Sequence, residues 1–320
     1  MPNRSVLVLG SIAYDYIMHF PGDFNDNVSI DKKKKVFNLA VLPDSKKLSF
    51  GGTAGNISYN LGLIEVPTKI ITSVGQDFEK MGYIDHIKEM KGVEFWGKVH
   101  HEEFTASCYI VNDKNHNQVI IFHEGAMKKC PEIQLVDMGV TKDQIKVASV
   151  SPDNPVAMVS WAKELIDLEI PFIFDPGQMV HYFSKSDLLE LIPNADLIIG
   201  NEFEISKLQN ILETDLEGLR ALNPMVIETR GDKGAVCYWG ESKVQIKAMS
   251  VHEVADTTGA GDAFRAGLLY GLYHDMSLVK ACKVGAIIAG HVIATVGPQN
   301  QIFTLESVKD KFYEVYGEEL

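Results

Sequence analysis

The sequence predicts an α/β protein in which a central, mostly parallel β-sheet is flanked by helices and accompanied by a second, smaller sheet. Short β-rich runs alternate with helical patterns along most of the chain, as expected for βαβ units that cover both faces of a sheet. Two further segments carry consecutive strand patterns without intervening helices. The 320 residues provide for a large core and an appendage, since a typical domain has ~150 residues.

The elements of the central sheet follow one another from the N terminus. The predicted strands are residues 6–9, 69–74, 172–175, 196–199 and 225–229. The predicted helices are residues 56–64, 78–90, 155–168, 202–208, 260–273, 278–295 and 305–316. A further β-rich run at 251–255 leads into the helix at 260–273.

The smaller sheet is predicted from two insertions in this alternation. In the first, 15–20 and 35–42 are predicted strands joined by the polar loop 22–34. In the second, a meander with a tight turn around 113–117 is predicted from three runs, 95–100, 105–112 and 118–123. We therefore divide the chain into an α/β core, residues 1-12, 48-94 and 124-320, and a small sheet, residues 13-47 and 95-123.

The composition of the chain excludes some classes of binding partner. The formal net charge is −13, and such a field repels both the phosphate backbone of nucleic acids and anionic membranes. Within this acidic chain, the lysine run at 32–35 is either a local anion-binding element or a solvated loop. The cysteines are far apart and have no C-x-x-C spacing, which favours reduced thiols in a cytoplasmic protein; they are Cys108, Cys130, Cys237 and Cys282. We expect a soluble protein with a small-molecule partner.

The strongest chemical signal is the segment 256–264, DTTGAGDAF, at the start of a predicted helix. Glycines and small residues there allow consecutive backbone N–H groups to converge on an anion, and the helix N terminus adds partial positive charge. A carboxylate at the same place, Asp262, would repel phosphate. It is the residue type needed to take a proton from an attacking hydroxyl while the amides hold a phosphoryl group. The alternative is that Asp262 only caps the helix.

Other phosphate-binding loops are excluded. The chain has no G-x-x-x-x-G-K-[ST] segment and so no P-loop. After the first strand, residues 10–15 read GSIAYD and lack the later glycines of a dinucleotide-binding fingerprint. A nicotinamide dehydrogenase is therefore disfavoured.

Segment 256–264 resembles the C-terminal signature of the ribokinase-like (phosphofructokinase-B, PfkB) family of small-molecule kinases. Residues 51–56, GGTAGN, resemble its N-terminal signature, and NEFE at 201–204 and TRGDKG at 229–234 match two further family elements. The four matches occur in family order over essentially the whole chain. The resemblance implies a ribokinase-like fold, with the small sheet as a lid over the acceptor site, and transfer of the ATP γ-phosphate to a hydroxyl group.

The resemblance also assigns roles to individual residues. Asp262 corresponds to the catalytic base, and the anion hole corresponds to Gly259, Ala260 and Gly261. On the acceptor side, a carboxylate and a carboxamide could hold vicinal hydroxyls and bring a primary hydroxyl to Asp262; the residues implied are Asp15, Gly51, Gly52 and Asn56. For Asp15 and Asn56 the alternatives are a turn residue and a residue in the first turn of a helix.

The donor side is implied by the two remaining elements. Asn201 and Glu204 would place the nucleotide phosphates and a hydrated Mg²⁺, which needs few direct carboxylates; a helix cap is the alternative. Thr229, Gly231 and Gly234 would approach the triphosphate, or form only a hairpin turn. Asp256 and Thr258 match positions of a monovalent-cation site in many relatives, which adds K⁺ to ATP and Mg²⁺ as an expected cofactor.

The acceptor is predicted to be a nucleoside, with adenosine converted to AMP. Segments 10–15, 50–56 and 262–267 resemble the adenosine-kinase-like branch of the family. A purine could stack on an aromatic side chain of the small sheet; the candidates are Tyr14, Tyr16, Phe20, Phe37, Phe104 and Phe122. Two alternatives stay open: a ribokinase- or fructokinase-like sugar kinase, and a non-catalytic binding protein.

Overall fold

The structure, a computed structural model, describes residues 4–31, 36–115 and 117–320, so the lysine run at 32–35 lies outside the described residues. The strands are β1 (Ser5–Leu9), β2 (Ala13–His19), β3 (Val28–Asp31), β4 (Val36–Leu39), β5 (Ser45–Gly51), β6 (Thr68–Ile71), β7 (Ser73–Gly75), β8 (Val93–Phe95), β9 (Lys98–His100), β10 (Ala106–Asn112), β11 (Gln118–His123), β12 (Ile145–Val150), β13 (Phe172–Phe174), β14 (Leu197–Asn201), β15 (Met225–Thr229), β16 (Ala235–Trp239) and β17 (Ser242–Ile246).

The helices connect these strands and close the chain. They are α1 (Phe24–Asn27), α2 (Thr53–Leu63), α3 (Asp77–Lys80), α4 (Tyr83–Glu89), α5 (Pro155–Asp167), α6 (Lys185–Leu191), α7 (Glu202–Leu212), α8 (Leu216–Leu222), α9 (Ala260–Tyr273), α10 (Leu278–Ile293) and α11 (Leu305–Tyr316). None of the helices in the described part of the chain has the length and apolar character to cross a membrane.

The large sheet has the strand order β17-β16-β15-β14-β13-β12-β1-β6-β8. Its strands are parallel from β8 to β15, and β16 and β17 extend one edge in antiparallel pairing. Every residue of β1 is buried, because helices and a separate hydrophobic cluster lie on each face of the sheet. A strand covered on both faces reads as a continuous apolar run rather than an alternating one, which explains the sequence SVLVL.

The small sheet has the order β11-β10-β2-β5. Strand β2 leaves the carboxyl end of β1 after three residues and pairs in parallel with β10, while β5 and β11 are the outer strands. The chain then returns from β5 directly into α2. The small sheet is therefore attached at the carboxyl edge of the large sheet, where open α/β sheets place their ligands.

The predicted architecture is confirmed, and strand 225–229 and helices 260–273 and 305–316 have the predicted bounds. The helix predicted at 78–90 is instead two short helices, because Gly82 has a left-handed φ of 81°. The run 251–255 is not a strand; β17 already forms the sheet edge there. Strands β3, β5, β12, β16 and β17 were not predicted, nor were helices α1, α6 and α8.

The bounds of the small sheet also differ from the prediction. The small sheet includes β5, which was not predicted and which continues to Gly51, past the boundary predicted for the small sheet at residue 47, because it pairs with β2 over its whole length. The predicted strand 95–100 does not join the small sheet, because β8 pairs with β6 and β9 pairs with β7. The loop predicted at 22–34 contains α1 and β3, and β3 pairs with β4 as a separate ribbon.

Candidate active site

Two adjoining cavities lie at the carboxyl edge of the large sheet. The larger cavity, about 650 Å³, is bounded on one side by the small sheet. The smaller cavity, about 260 Å³, is bounded by residues at the ends of β13, β14 and β15. Five residues line both cavities: Thr53, Pro152, Gln178, Gly259 and Asp262. Asp262 therefore stands at the junction between two binding spaces, the position required of a group that assists transfer from one to the other.

The N terminus of α9 opens onto this junction. Gly259 precedes the helix with a left-handed φ of 78°, and no side chain among the described residues caps the helix there. A Cβ at Gly259 would lie 2.6 Å from Cβ of Pro298, so glycine is required by both φ and space. The first amide groups of a helix lack intrahelical acceptors and attract anions. This end of α9 can therefore hold a phosphoryl group.

Asp262 lies in the first turn of α9, and its carboxylate accepts a hydrogen bond of 2.7 Å from the side-chain amide of Asn56. Burial raises the pKa of Asp262 to about 7; the Asn56 hydrogen bond and the charge of Arg265 oppose this rise. The capping alternative is not observed, since the carboxylate contacts α2 instead of the α9 amides. A carboxylate with a pKa near neutrality is suited to general base catalysis at neutral pH.

The lining of the larger cavity contains a second aspartate, Asp15 on β2. Burial raises the pKa of Asp15 to about 7, and the negative charge of Asp256 adds to this. Gly51 leaves room for this carboxylate, because a Cβ there would lie 2.3 Å from Oδ2 of Asp15. Gly52 has a φ of 85° and begins α2. Gly51 thus makes room for Asp15 from outside the cavity lining, whereas Gly52 lines the cavity.

Asn201 and Glu204 line the smaller cavity and also cap α7. The N–H of Glu204 donates to Oδ1 of Asn201, and the N–H of Asn201 donates to Oε2 of Glu204. The helix-cap alternative is therefore observed, and a role of the two residues in placing nucleotide phosphates and Mg²⁺ stays a prediction. The pKa of Glu204 is raised by burial and by the neighbouring charge of Asp175.

Arg265 and Asp175 form a buried ion pair beside the smaller cavity, and sequence reasoning did not assign it. Nη2 of Arg265 donates to Oδ1 of Asp175 at 2.6 Å, and Nε donates to the other carboxylate oxygen. Nη1 donates to the carbonyl of Gly261 at 3.0 Å. The pair therefore fixes the first turn of α9 to the end of β13. Two signals pointed to it: Asp175 ends a predicted strand, and Arg265 is one turn beyond Gly261.

The smaller cavity suits the phosphates of ATP with Mg²⁺. Its lining carries the carboxylates of Asp175, Glu204 and Asp262 against the single cation Arg265, so its net charge favours a divalent cation. Among the described residues, no three or more His, Cys, Asp or Glu side chains are placed so that together they could hold a metal ion. Mg²⁺ fits such a site, since it keeps several waters and is held by one or two carboxylates plus substrate phosphates.

The predicted monovalent-cation residues have other contacts. Both carboxylate oxygens of Asp256 accept backbone hydrogen bonds, from the N–H of Thr258 at 2.9 Å and of Gly297 at 3.0 Å. Asp256 thus ties the segment before α9 to the segment after α10. Thr258 lines the larger cavity. A role of these residues in binding K⁺ stays a prediction.

Of the remaining predicted residues, one lines a cavity and three do not. Thr229 lines the smaller cavity, whereas Gly231 and Gly234 form the turn between β15 and β16, in which the N–H of Arg230 donates to the carbonyl of Gly234. Ala260 is the first residue of α9 and, like these glycines, is absent from the cavity linings. Their approach to a nucleotide stays a prediction.

Among the aromatic side chains proposed for stacking, Phe122 lines the larger cavity. Tyr14 is fully buried in the core, Tyr16 stacks on Tyr109, and Phe20 stacks on Phe24. Phe104 is exposed but does not line the cavity, and the side chain of Phe37 lies outside the described residues. The lining of the cavity also contains residues that sequence reasoning missed: Cys108, Ile120, Glu124, Met127, Met179 and Tyr182.

Comparison with known proteins agrees with this geometry. Residues 7–304 match the family described as pfkB family carbohydrate kinase. A nucleoside kinase of Methanocaldococcus jannaschii is 27% identical over 308 residues, 96% of each chain. A solved structure of a Burkholderia thailandensis nucleoside kinase in complex with inosine has a TM-score of 0.84 and 31% identity, and covers 98% of this chain and 99% of that one.

A ribokinase from Lactococcus lactis is 26% identical over 318 residues, 97% of each chain, so both nucleoside and sugar kinases are among the relatives. The fold is ribokinase-like, and the chain is a phosphotransferase with a hydroxyl group of a nucleoside or carbohydrate as acceptor. With the match to the family extending across both cavities and the small sheet, the chain belongs to the pfkB family of carbohydrate kinases.

Proposed function

We propose that this protein is an ATP-dependent nucleoside kinase that phosphorylates the primary 5′-hydroxyl of a purine nucleoside, with adenosine, converted to AMP, as the preferred acceptor. The observation that carries the proposal is the lining of the larger cavity, which combines polar groups with a set of large apolar side chains. Asp15, Asn56 and Asp262 are near one another, since Asn56 donates to Asp262 and the charge of Asp15 acts on Asp262. The apolar part of the lining consists of Ile120, Phe122, Met127, Met179 and Tyr182.

This division fits the two parts of a nucleoside. The carboxylate of Asp15 can accept hydrogen bonds from vicinal ribose hydroxyls, and charged acceptors make the stronger hydrogen bonds. The apolar side chains of the lining can cover a base, and ligand sites commonly combine apolar walls with a few polar groups that set orientation. A pentose has about half the non-hydrogen atoms of a purine nucleoside and would leave this apolar wall in water.

Phosphoryl transfer would occur at the junction of the cavities. The 5′-hydroxyl gives its proton to a carboxylate oxygen of Asp262 while its oxygen bonds to the γ-phosphorus of ATP, and ADP leaves with the electrons of the broken P–O bond. The amides at the start of α9 stabilise the negative charge of the transferring group. Mg²⁺ held near Glu204 would supply neutralisation of the phosphate oxygens. K⁺ near Asp256 remains part of the proposal.

The relatives favour a nucleoside over a free sugar. The Burkholderia kinase is in complex with inosine, and the Methanocaldococcus relative is a nucleoside kinase. A yeast adenosine kinase is 26% identical over 322 residues, 90% of this chain and 92% of that one. The choice of adenosine over inosine remains our proposal.

The proposal is tested by measuring ADP release from Mg·ATP with adenosine, inosine, guanosine, cytidine, ribose and fructose 6-phosphate as separate acceptors. We expect turnover with purine nucleosides, highest with adenosine. The product is expected to be the nucleoside 5′-monophosphate. Turnover with ribose or fructose 6-phosphate alone would retain the kinase mechanism and overturn the proposed acceptor. The Asp262→Asn variant controls for contaminating ATPase.

Replacing Phe122 with alanine is expected to raise KM for the nucleoside about 5- to 100-fold, since stacking of a base on an aromatic ring contributes about 1–3 kcal/mol. Ile121→Ala is the matched control, because Ile121 directly precedes Phe122 in β11 and its side chain points to the opposite face of the sheet. Steady-state kinetics with varied nucleoside gives the result. Equal KM values for both variants would remove Phe122 from the base site.

Replacing Asp15 with alanine is expected to raise KM for the nucleoside about 10- to 100-fold, because hydrogen bonds to a charged group contribute about 1.5–3 kcal/mol. KM for ATP should change little, since Asp15 lines only the larger cavity. Asp44→Asn is the control: Asp44 is an exposed carboxylate just before β5, paired with His19. An unchanged nucleoside KM in Asp15→Ala contradicts the assignment.

A further inference from the structure

A buried chain of polar side chains leads from Asp262 away from both cavities. Asn56 donates to Asp262. Nε2 of Gln299 donates to Oδ1 of Asn56 and to the hydroxyl of Tyr83, each at 2.9 Å. Nε2 of His86 lies 2.9 Å from Oε1 of Gln299. We call these four residues, Asn56, Gln299, Tyr83 and His86, the buried relay.

The hydrogen bonds of the buried relay have one consistent direction. A carboxamide has one accepting oxygen and one donating nitrogen. Because the oxygen of Asn56 receives a hydrogen from Gln299, its nitrogen faces Asp262. Because the nitrogen of Gln299 uses its two hydrogens on Asn56 and Tyr83, its oxygen faces His86. Tyr83 in turn donates to the carbonyl of Gly51 at 2.8 Å.

The orientation is held because these groups are shielded from water. Gln299 and Asn56 are each 5% exposed and Tyr83 is fully buried. Turning either carboxamide over would bring two donors or two acceptors together, and a buried polar group without a partner is costly. The buried relay therefore selects one of the two orientations of the Asn56 amide.

His86 terminates the buried relay in a fixed ring position. Its ring is stacked between Phe50, with centroids 4.4 Å apart, and Tyr59, with centroids 5.5 Å apart. The acceptor Oε1 of Gln299 requires a hydrogen on Nε2, which both the Nε2–H tautomer and the protonated ring provide. The direction of the buried relay is thus independent of the protonation of His86.

We propose that Gln299 is a positioning residue for phosphoryl transfer: it holds the Asn56 amide in the orientation that donates to Asp262. Gln299 touches neither cavity and acts through Asn56. The proposal rests on Asp262 as the base of the proposed function. Without Gln299 the Asn56 amide can turn over, so that its oxygen faces the carboxylate and the donated hydrogen bond is lost.

The consequence is measurable as a shift in the pH profile. The Asn56 hydrogen bond lowers the pKa of Asp262 against the effect of burial. The ionisable groups facing Asp262 are Asp15 on β2, Asp175 after β13, and Arg265 on α9, with Tyr83 on α4 behind them. All four groups remain when Gln299 is replaced. A shift in the acid limb of the profile, the fall of kcat/KM toward low pH, therefore reports a change in the orientation of the Asn56 amide.

The test compares Gln299→Met with Gln301→Met. Gln301 is an equally buried glutamine two residues further on, 2% exposed, and it donates to Asn60 instead of Asn56. For Gln299→Met we expect the acid limb of kcat/KM to move up by about one pH unit, with turnover recovering at high pH. For Gln301→Met we expect the acid limb of kcat/KM to stay at the wild-type pH.

Gln299→Glu provides a second variant that keeps the size of the side chain. Its carboxylate has no donor for the Asn56 oxygen, so we expect an acid limb at least as high as in Gln299→Met. The positioning role would be overturned if both Gln299 variants kept the acid limb of kcat/KM at the wild-type pH while their Tm fell to the same extent as that of Gln301→Met. Asp262→Asn separates the two hypotheses: full turnover in that variant defeats the base assignment itself, whereas loss of turnover with unshifted Gln299 variants defeats the buried relay alone.

Discussion

Asp262→Asn is expected to lower kcat about 10²- to 10⁴-fold, the range for loss of a general base. KM values should change less, because asparagine has nearly the shape of aspartate and its side-chain oxygen can still accept from Asn56. The measurement is ADP release with saturating nucleoside and Mg·ATP. Turnover near the wild-type rate would contradict the role of Asp262.

The pH dependence of the wild-type enzyme is also expected to follow from the ionisation of Asp262. The proposed base, Asp262, must be ionised to act, and burial raises the pKa of Asp262 to about 7. We therefore expect kcat/KM to rise with pH and to level off above about pH 7 to 8. Asp15, whose pKa burial also raises to about 7, raises the pKa of Asp262 through its charge. Asp15→Asn should consequently move the acid limb to lower pH.

The Asp262→Asn variant should also be more stable than the wild type at alkaline pH. The folded pKa of Asp262 is about 7, above the ordinary value of about 3.9 in an unfolded chain. The folded state therefore holds the proton more tightly, and ionisation of Asp262 increasingly costs stability as pH rises from about 4 to 7. Asparagine removes this cost. We expect a higher Tm than wild type at pH 8 and a difference that shrinks toward pH 4.

The site residues that could be predicted from the sequence are those whose signal lies in their immediate neighbours along the chain. Asp262 stands in a glycine-rich segment that opens a helix, so spacing alone predicted both the helix start and a carboxylate beside the anion site. Helix 260–273 was predicted for the same reason. The break of helix 78–90 at Gly82 was also local, but it depends on a left-handed φ that a glycine permits and does not require.

The contacts that sequence reasoning missed join residues far apart in the chain. Asn56 was predicted to hold substrate hydroxyls, yet its amide donates to Asp262 from 206 residues away. Arg265 and Asp175 are 90 residues apart. Neither pairing has a periodicity or spacing that a single sequence could display. The carboxyl edge of a parallel sheet brings such residues together, so the fold prediction placed their region and left their partners undetermined.

Replacing Arg265 with methionine is expected to lower the free energy of unfolding by about 3–5 kcal/mol, the cost of leaving a buried partner charge uncompensated. Arg265 and Asp175 are 6% and 1% exposed, so water cannot replace the lost partner. The measurement is urea unfolding. Lys142→Met is the control, because the ion pair of Lys142 with Glu169 is exposed and surface pairs contribute little.

The double variant Arg265→Met/Asp175→Leu separates stability from catalysis. Buried ion pairs can be replaced by apolar residues of similar volume with little loss of stability, so we expect the double variant to recover most of the free energy lost in Arg265→Met. Turnover should stay low, because the hydrogen bond from Arg265 to the carbonyl of Gly261, which fixes the first turn of α9, is absent. Recovery of both stability and kcat would mean that the pair only balances charge, and that the anion site at the start of α9 needs no anchor on β13.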